Sequence, residues 1–297
     1  MKKIILLAAA LLAGSSDFGQ GAGQGADSSA QAAKEAAAAS KKSGGKQAAQ
    51  KEWAFGDNEK LTLRVSWSAK LFPDTDVATV GLNITRRGAQ HFEIYANGKT
   101  YSAVKWIFEL DDHYRTTIDA ATLRPVVAKT SLNEGSYRFE SNMAFDWKQM
   151  VVNSTWRNLK NPNDSHKTMP LSARSYDALS LFYNMRNTDE ADFRPGVRQP
   201  LDLVLEDAIR RIYFRFIGHE QVTIKKVGTF KALRFACQLV TIEGDDRLKE
   251  GSEFTMWISD DANRIPLRIE SPVRVGSISA RLTGFSGLKY PLESKIK

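Results

Sequence analysis

Cysteine is almost missing from this sequence. Cys237 is the only one in 297 residues, which excludes an internal disulfide framework and any multi-cysteine zinc or iron-sulfur site. Histidine is scarce too: His91, His113, His166 and His219 are dispersed, with no pair at helical ligand spacing and no HExxH segment, so no metal site is expected. No GxSxG elbow is present, and a catalytic triad is unsupported. No catalytic residue and no cofactor is assigned. Long apolar runs are lacking as well. The run Ile4 to Leu12 is far short of the roughly 20 residues a membrane-spanning helix needs. Finally, the folded part lacks an excess of one charge. Residues 1–51 hold seven basic and three acidic side chains, leaving 35 basic against 31 acidic, a net +4 with interspersed signs. Nucleic-acid binding usually shows a clustered basic face, so it is not expected.

What the sequence does contain begins with an export leader. Lys2 and Lys3 precede the apolar run, and Ala13, Gly14 and Ser15 follow it, which predicts a signal peptide over 1–15 cleaved after Ser15. No cysteine follows the run, so a lipoprotein anchor is not expected and the predicted compartment is the periplasm. Residues 16–52 are dominated by Ala, Gly, Ser, Gln and Lys, with little to bury, and read as a disordered tether. A single domain is expected over 53–297.

Within that domain the dominant signal is period-two alternation, which puts successive side chains on opposite faces of a sheet. Leu61, Leu63, Val65 and Trp67 alternate with Thr62, Arg64, Ser66 and Ser68, and the pattern recurs at 137–147, 201–205, 233–239 and 265–269. Turn signals at Asn97-Gly98, Asn133-Glu134-Gly135, Gly244-Asp245-Asp246 and Asp260 to Asn263 separate the runs. Short links between strands imply antiparallel neighbours. The expected fold is mainly β: a long antiparallel meander of eleven or twelve strands forming a strongly curved sheet or open half-barrel. One segment breaks the period. Ser175 to Arg186 carries Ala178, Leu181, Phe182 and Met185 at helical spacing, with Ser175 as a possible N-cap and Asp177 in the first turn. It predicts one short amphipathic helix packed on the sheet, between loops at 158–168 and 189–200.

Polar clusters carry bland readings beside their functional ones. Asp260, Asp261 and Asn263 could serve a cation or acid-base chemistry, but match no EF-hand spacing; the favoured reading is a tight turn with Asp and Asn capping amides, and Arg264 paired to one of them. Arg210, Arg211, Tyr213, Arg215, His219, Lys225 and Lys226 form a basic and aromatic run that fits either anionic partners or a solvent face behind Ile212, Phe214 and Phe216. Tryptophans such as Trp67, Trp106, Trp147 and Trp257 fit core packing or, if exposed in a cleft, sugar stacking. Cys237 sits on an alternating apolar face and reads as a small buried hydrophobe.

Three segments together carry a resemblance: the helix SYDALSLFYNMR, the hairpin WISDDANRIPLRI with its continuation VRVGSISARLTGF, and IDAATLRP at Ile118 to Pro125. They resemble the bacterial exported family catalogued as domain of unknown function 3108, over roughly Leu61 to Phe285. The resemblance implies an envelope location and a mostly β fold, and supplies no activity or catalytic residues. The first functional expectation is non-catalytic binding of an apolar or amphipathic ligand, a lipid or lipid-linked precursor, by the curved sheet. Its expected contacts are Tyr176, Leu179, Phe182, Tyr183 and Arg186, residues that also fit plain packing of the helix. The alternatives are a scaffold that contacts cell-wall polymer or an envelope protein and, last, a glycan-acting enzyme.

Overall fold

A computed structural model describes residues 52–297 apart from 70–71, 107, 159–162, 244–246 and 274. The leader, most of the tether and the Gly244-Asp245-Asp246 turn lie outside the described residues. The first seven strands are β1 (Asn58–Ala69), β2 (Phe72–Arg87), β3 (His91–Thr100), β4 (Asp111–Asp119), β5 (Pro125–Glu134), β6 (Tyr137–Asp146) and β7 (Val151–Asn158). Then come β8 (Ser165–Pro170), β9 (Ser175–Tyr176), the helix α1 (Ala178–Met185), β10 (Arg198–Val204), β11 (Ile209–Ile224) and β12 (Gly228–Glu243). The last three strands are β13 (Arg247–Ser259), β14 (Pro266–Pro272) and β15 (Ser277–Ser286). All belong to one sheet, ordered β8-β7-β6-β5-β4-β3-β2-β1-β15-β14-β13-β12-β11-β10-β9. The meander therefore runs outward from β1 to one edge, then restarts at the other edge and returns to pair β15 with β1.

The expected class and curvature are found, with 15 strands rather than eleven or twelve. The extra strands are those with weak alternation. β9 is two residues long and pairs in parallel with β10, and β8 emerges from the segment expected to be a loop. The inward face is set by the alternating apolar residues. Leu61, Leu63 and Val65 of β1 are buried, as are Leu233, Phe235, Cys237 and Leu239 of β12 and Leu267 and Ile269 of β14. Asn97-Gly98, expected to turn, lies inside β3 instead. Gly81 pairs with Asn97 on the adjacent strand, and a Cβ there would stand 2.6 Å from Asn97 Oδ1, so the glycine gives the Asn side chain room and the strand runs straight on. Pro266 falls at a register shift between β13 and β14, where a missing N–H is tolerated.

The hydrogen-bonded ladder ends at β8 on one side and β9 on the other, but the two edges meet through side chains. Ala128, Met143, Phe145, Val152, Met169 and Leu171 pack with Val204 of β10. Residues 171–174 carry the chain across this seam. Leu171 N–H donates to Met150 O at 2.8 Å, and Ser172 Oγ donates to Asp202 Oδ2 at 2.6 Å. α1 packs against β3, β4, β9 and β10 inside the curve. The molecule is thus a sheet wound into a barrel-like form around a helical plug.

Candidate functional site

The helix residues expected to meet a ligand are all buried. Tyr176 lies in β9; Leu179, Phe182 and Tyr183 project from α1 into the main core; Arg186 caps the C-terminal end. Phe55 meets Tyr183 edge-on at 5.0 Å and Phe92 at 5.3 Å, stitching the segment before β1 to the helix. At the N-terminal end Asp177, not Ser175, is the cap. Its carboxylate accepts from Leu179 N–H at 3.1 Å, from Ser180 Oγ, and from Thr116 Oγ1 of β4 at 2.6 Å. Burial raises its pKa, and these hydrogen bonds pull it back down in part. Loss of the cap together with an orphaned Thr116 hydroxyl is expected to cost Asp177→Ala about 2 kcal/mol, read as a lower urea midpoint at unchanged slope, with Asp177→Asn milder.

The other end of α1 is held by a bidentate pair. Arg186 Nη1 donates to Glu59 Oε1 at 2.6 Å and Nη2 to Oε2 at 2.8 Å, with side-chain exposures of 1% and 0%. Nη2 also donates to Ala54 O at 3.0 Å and Asn263 O at 2.7 Å. Burial is the largest single influence and lowers the guanidinium's pKa, but the Glu59 charge and hydrogen bonds, with smaller contributions from Tyr183 and Asp261, together outweigh it and the net shift is upward. One side chain therefore joins α1, β1, the segment before β1 and the β13–β14 turn. In that turn Asp261 Oδ1 accepts from the Asn263 and Arg264 amides, as expected, whereas Arg264 pairs with neither aspartate. It donates to Thr188 O and stacks on Phe193 at 4.9 Å. Asp260 pairs with His219 Nδ1 at 2.9 Å. The two adjacent carboxylates thus point to separate duties, and Cys237 is fully buried, its thiol pushed well above the ordinary range by burial first.

A second polar group inside the barrel escaped the sequence reading. Asp112, 1% exposed, lies on the inward face of β4; Oδ1 accepts from Asn133 N–H at 2.9 Å, while Oδ2 has no hydrogen-bond partner among the described residues. Burial pushes its pKa up to about 6, against the Asn133 bond and with a further rise from Asp111. Two residues on, the Tyr114 hydroxyl is also buried without a partner, and burial followed by the Asp112, Glu206 and Glu134 charges drives its pKa well up. The available signal was the run Asp111 to Thr117, where polar residues occupy inward positions that an alternating strand would fill with apolar ones.

The outer face is polar and ion-paired. In the basic run, Arg211 pairs with Asp202 at 2.7 Å and Arg215 with Glu253 at 3.1 Å, behind the buried Ile212, Phe214 and Phe216. Strand register aligns Arg234, Trp257, Arg268, Arg281 and Arg64 in one row across β12, β13, β14, β15 and β1. Trp257 is held between Arg234 at 5.5 Å and Arg268 at 5.1 Å and is buried, so it offers no stacking surface. Two open depressions interrupt this face. One of about 610 Å³ lies over β3 to β7, lined among others by Tyr95, His113, Arg115, Glu140, Asn142 and Arg157. The other, about 390 Å³, lies between the β11–β12 tip and β1, β14 and β15. Among the described residues no three His, Cys, Asp or Glu side chains form a metal-holding group, and no helix is long and apolar enough to cross a membrane.

Comparison with known proteins agrees with the architecture. The beta-barrel-like protein of domain of unknown function DUF1849 from Brucella abortus matches with a TM-score of 0.56 over 78% of this chain and 98% of its own, at 7% identity, a likeness of fold alone. A protein of YmcC-like fold from Bacteroides fragilis NCTC 9343 gives a TM-score of 0.34 at 11% identity, covering 78% of this chain and 100% of its own. No curated protein matches the sequence at a significant level. The sequence match runs instead to a family model that spans residues 62–283, from β1 to β15 and including both helix anchors Asp177 and Arg186, and on that match the chain belongs to the family described as protein of unknown function DUF3108.

Proposed function

We propose that this protein is a non-catalytic binding protein of the bacterial envelope, exported by the leader at residues 1–15, and that it takes its partner on the outer face of the sheet. The observation that carries this reading is a contrast. The barrel interior holds α1, pinned at Asp177 and Arg186, whereas both depressions described above lie on the outer face and are lined mostly by charged and polar side chains. The partner class is an anionic component of the cell wall or outer envelope, drawn to the arginine row. The other reading, a lipid or lipid-linked precursor inside the barrel, would use Tyr176, Leu179, Phe182, Tyr183 and Arg186 as its contacts. It requires α1 to leave the sheet against both anchors. A glycan-acting enzyme has the least support, because Asp260 and Asp261 are engaged in different hydrogen bonds and line neither depression.

The test uses full-length protein purified from a bacterial periplasm. Native mass spectrometry is expected to show the bare chain mass, and the protein is expected to cosediment with isolated envelope fragments at low salt and to be released as the Debye length shrinks toward about 3 Å near 1 M salt. A co-purifying amphiphile that survives dialysis, with no envelope retention, would overturn the outer-face reading in favour of the interior one.

A further inference from the structure

We propose that the smaller depression, between the β11–β12 tip and the outer face of β14, β15 and β1, binds the phosphate group of a phosphorylated saccharide. The inference rests on the outer-face reading and gives it a site and a ligand class. Five cations line the depression, Arg64, Lys225, Lys226, Arg268 and Arg281, against two carboxylates, Asp74 and Asp76. Glu270 neutralises Arg268 from beside the depression, and the remaining excess of two positive charges matches a phosphate dianion.

The cations fall into two sets with different duties. Arg64 Nη1 donates to Asp76 Oδ2 at 3.0 Å, and Arg281 Nη2 donates to Asp74 Oδ2 at 2.7 Å and Ser66 Oγ at 2.6 Å. Arg268 is paired with Glu270. These pairs fix the guanidinium planes before any ligand arrives, and a planar fork is the group that recognises phosphate oxygens in pairs. Lys225 and Lys226 differ. Both are exposed at the hairpin tip, neither has an ion-pair partner among the described residues, and Lys226 holds a left-handed φ of 68° that turns the chain there. They supply the uncompensated charge.

Size and lining narrow the class further. About 390 Å³ is near the small end of ligand pockets and too roomy for inorganic phosphate alone. Ile224 is the single apolar residue among the described lining groups and no aromatic ring lines the site, which disfavours a nucleobase or an acyl chain. Asp74 and Asp76 oxygens and the Thr223 and Thr283 hydroxyls are the partners a sugar's hydroxyls need. The chemistry is shared by a free sugar phosphate, a phosphorylated glycan and a phosphorylated glycolipid headgroup.

The experiment is calorimetric titration of the full chain with glucosamine 1-phosphate, with unphosphorylated glucosamine as comparison. Titration with phosphatidylcholine vesicles, with and without one-tenth lipid A, separates a soluble from a membrane-borne source. Saturable binding of a phosphorylated probe is expected, weakened at least tenfold in Lys225→Glu/Lys226→Glu and less in Lys225→Gln/Lys226→Gln. Lys148→Glu, an exposed charge in the β6–β7 turn that lines neither depression, is expected to change it less than twofold. Because Lys225 and Lys226 are exposed, a matching far-ultraviolet spectrum and melting curve separate site loss from misfolding. Equal affinity for the phosphorylated and plain sugar, no saturable binding at millimolar probe, or binding indifferent to the lysine reversals would each overturn the site. Envelope cosedimentation that survives in the reversed variant would do so while leaving the outer-face reading standing.

Discussion

Arg186→Ala is expected to lower the stability of the folded chain by about 3–5 kcal/mol, which is a large fraction of a typical domain's total. The reason is the state in which it leaves Glu59. That carboxylate is fully buried in β1 and both its oxygens face the guanidinium, so deleting Arg186 strands a charge that cannot reach water. Glu59→Gln leaves the complementary problem, a buried cation with two carbonyl acceptors, Ala54 O and Asn263 O, and is expected to cost somewhat less. The pair need not itself be stabilising. Two ions taken from water often break even against apolar residues of similar volume, so Arg186→Met with Glu59→Leu is expected to recover most of the loss. Urea unfolding of Arg186→Met, Glu59→Leu and their combination forms the cycle that measures it. Additive single losses in the double variant would show that the two side chains act independently and that the clamp is not a unit.

Asp112→Asn should act in the opposite direction and raise stability at pH 7 by about 2 kcal/mol. Burial holds this carboxyl near pKa 6, against about 3.9 in an unfolded chain. Between those values the folded protein keeps a proton that the unfolded chain has released. The wild type is therefore relieved of this cost below about pH 4, loses stability as pH rises from 4 to 6, and carries the whole penalty above 6. Asparagine has no charge to bury. Its oxygen can keep the Asn133 amide bond, and its NH₂ occupies the position of the unpartnered Oδ2. The measurement is a set of urea midpoints from pH 4 to 8, in which the wild-type profile should fall relative to the variant between pH 4 and 6 and run parallel above it. Parallel profiles throughout would show that Asp112 titrates as an ordinary surface carboxylate.

Such a buried, half-satisfied acid beside an unpartnered Tyr114 hydroxyl illustrates why parts of this molecule were legible and others were not. Leu61, Leu63 and Val65, and likewise Leu233, Phe235 and Cys237, point inward because a pleated strand has a period of two, and that period is written in the residues themselves. The same holds for α1, whose 3.6-residue spacing stands out from its surroundings. Its boundary was less legible: Ser175 and Asp177 are both good caps, and it is Asp177 whose carboxylate accepts from Leu179 N–H, supported by the Thr116 hydroxyl of β4. Asn97-Gly98 looked like a turn for the same reason, since the space opened by Gly81 sits on another strand.

The mainly β class, the meander, the helix at Ala178–Met185 and the family likeness could all be read from the residues, because each rests on segments of neighbouring residues in the chain. The role of Arg186 could not. Among the expected ligand contacts that arginine was the one charged residue, yet it lies buried against Glu59, 127 positions earlier. The same is true of the arginine row and the small basic depression, which gather β1, β14, β15 and the β11–β12 tip from separate parts of the chain. Pairing β15 with β1 and bringing the β11–β12 tip beside that face created those neighbours, and local periodicity carries no record of it.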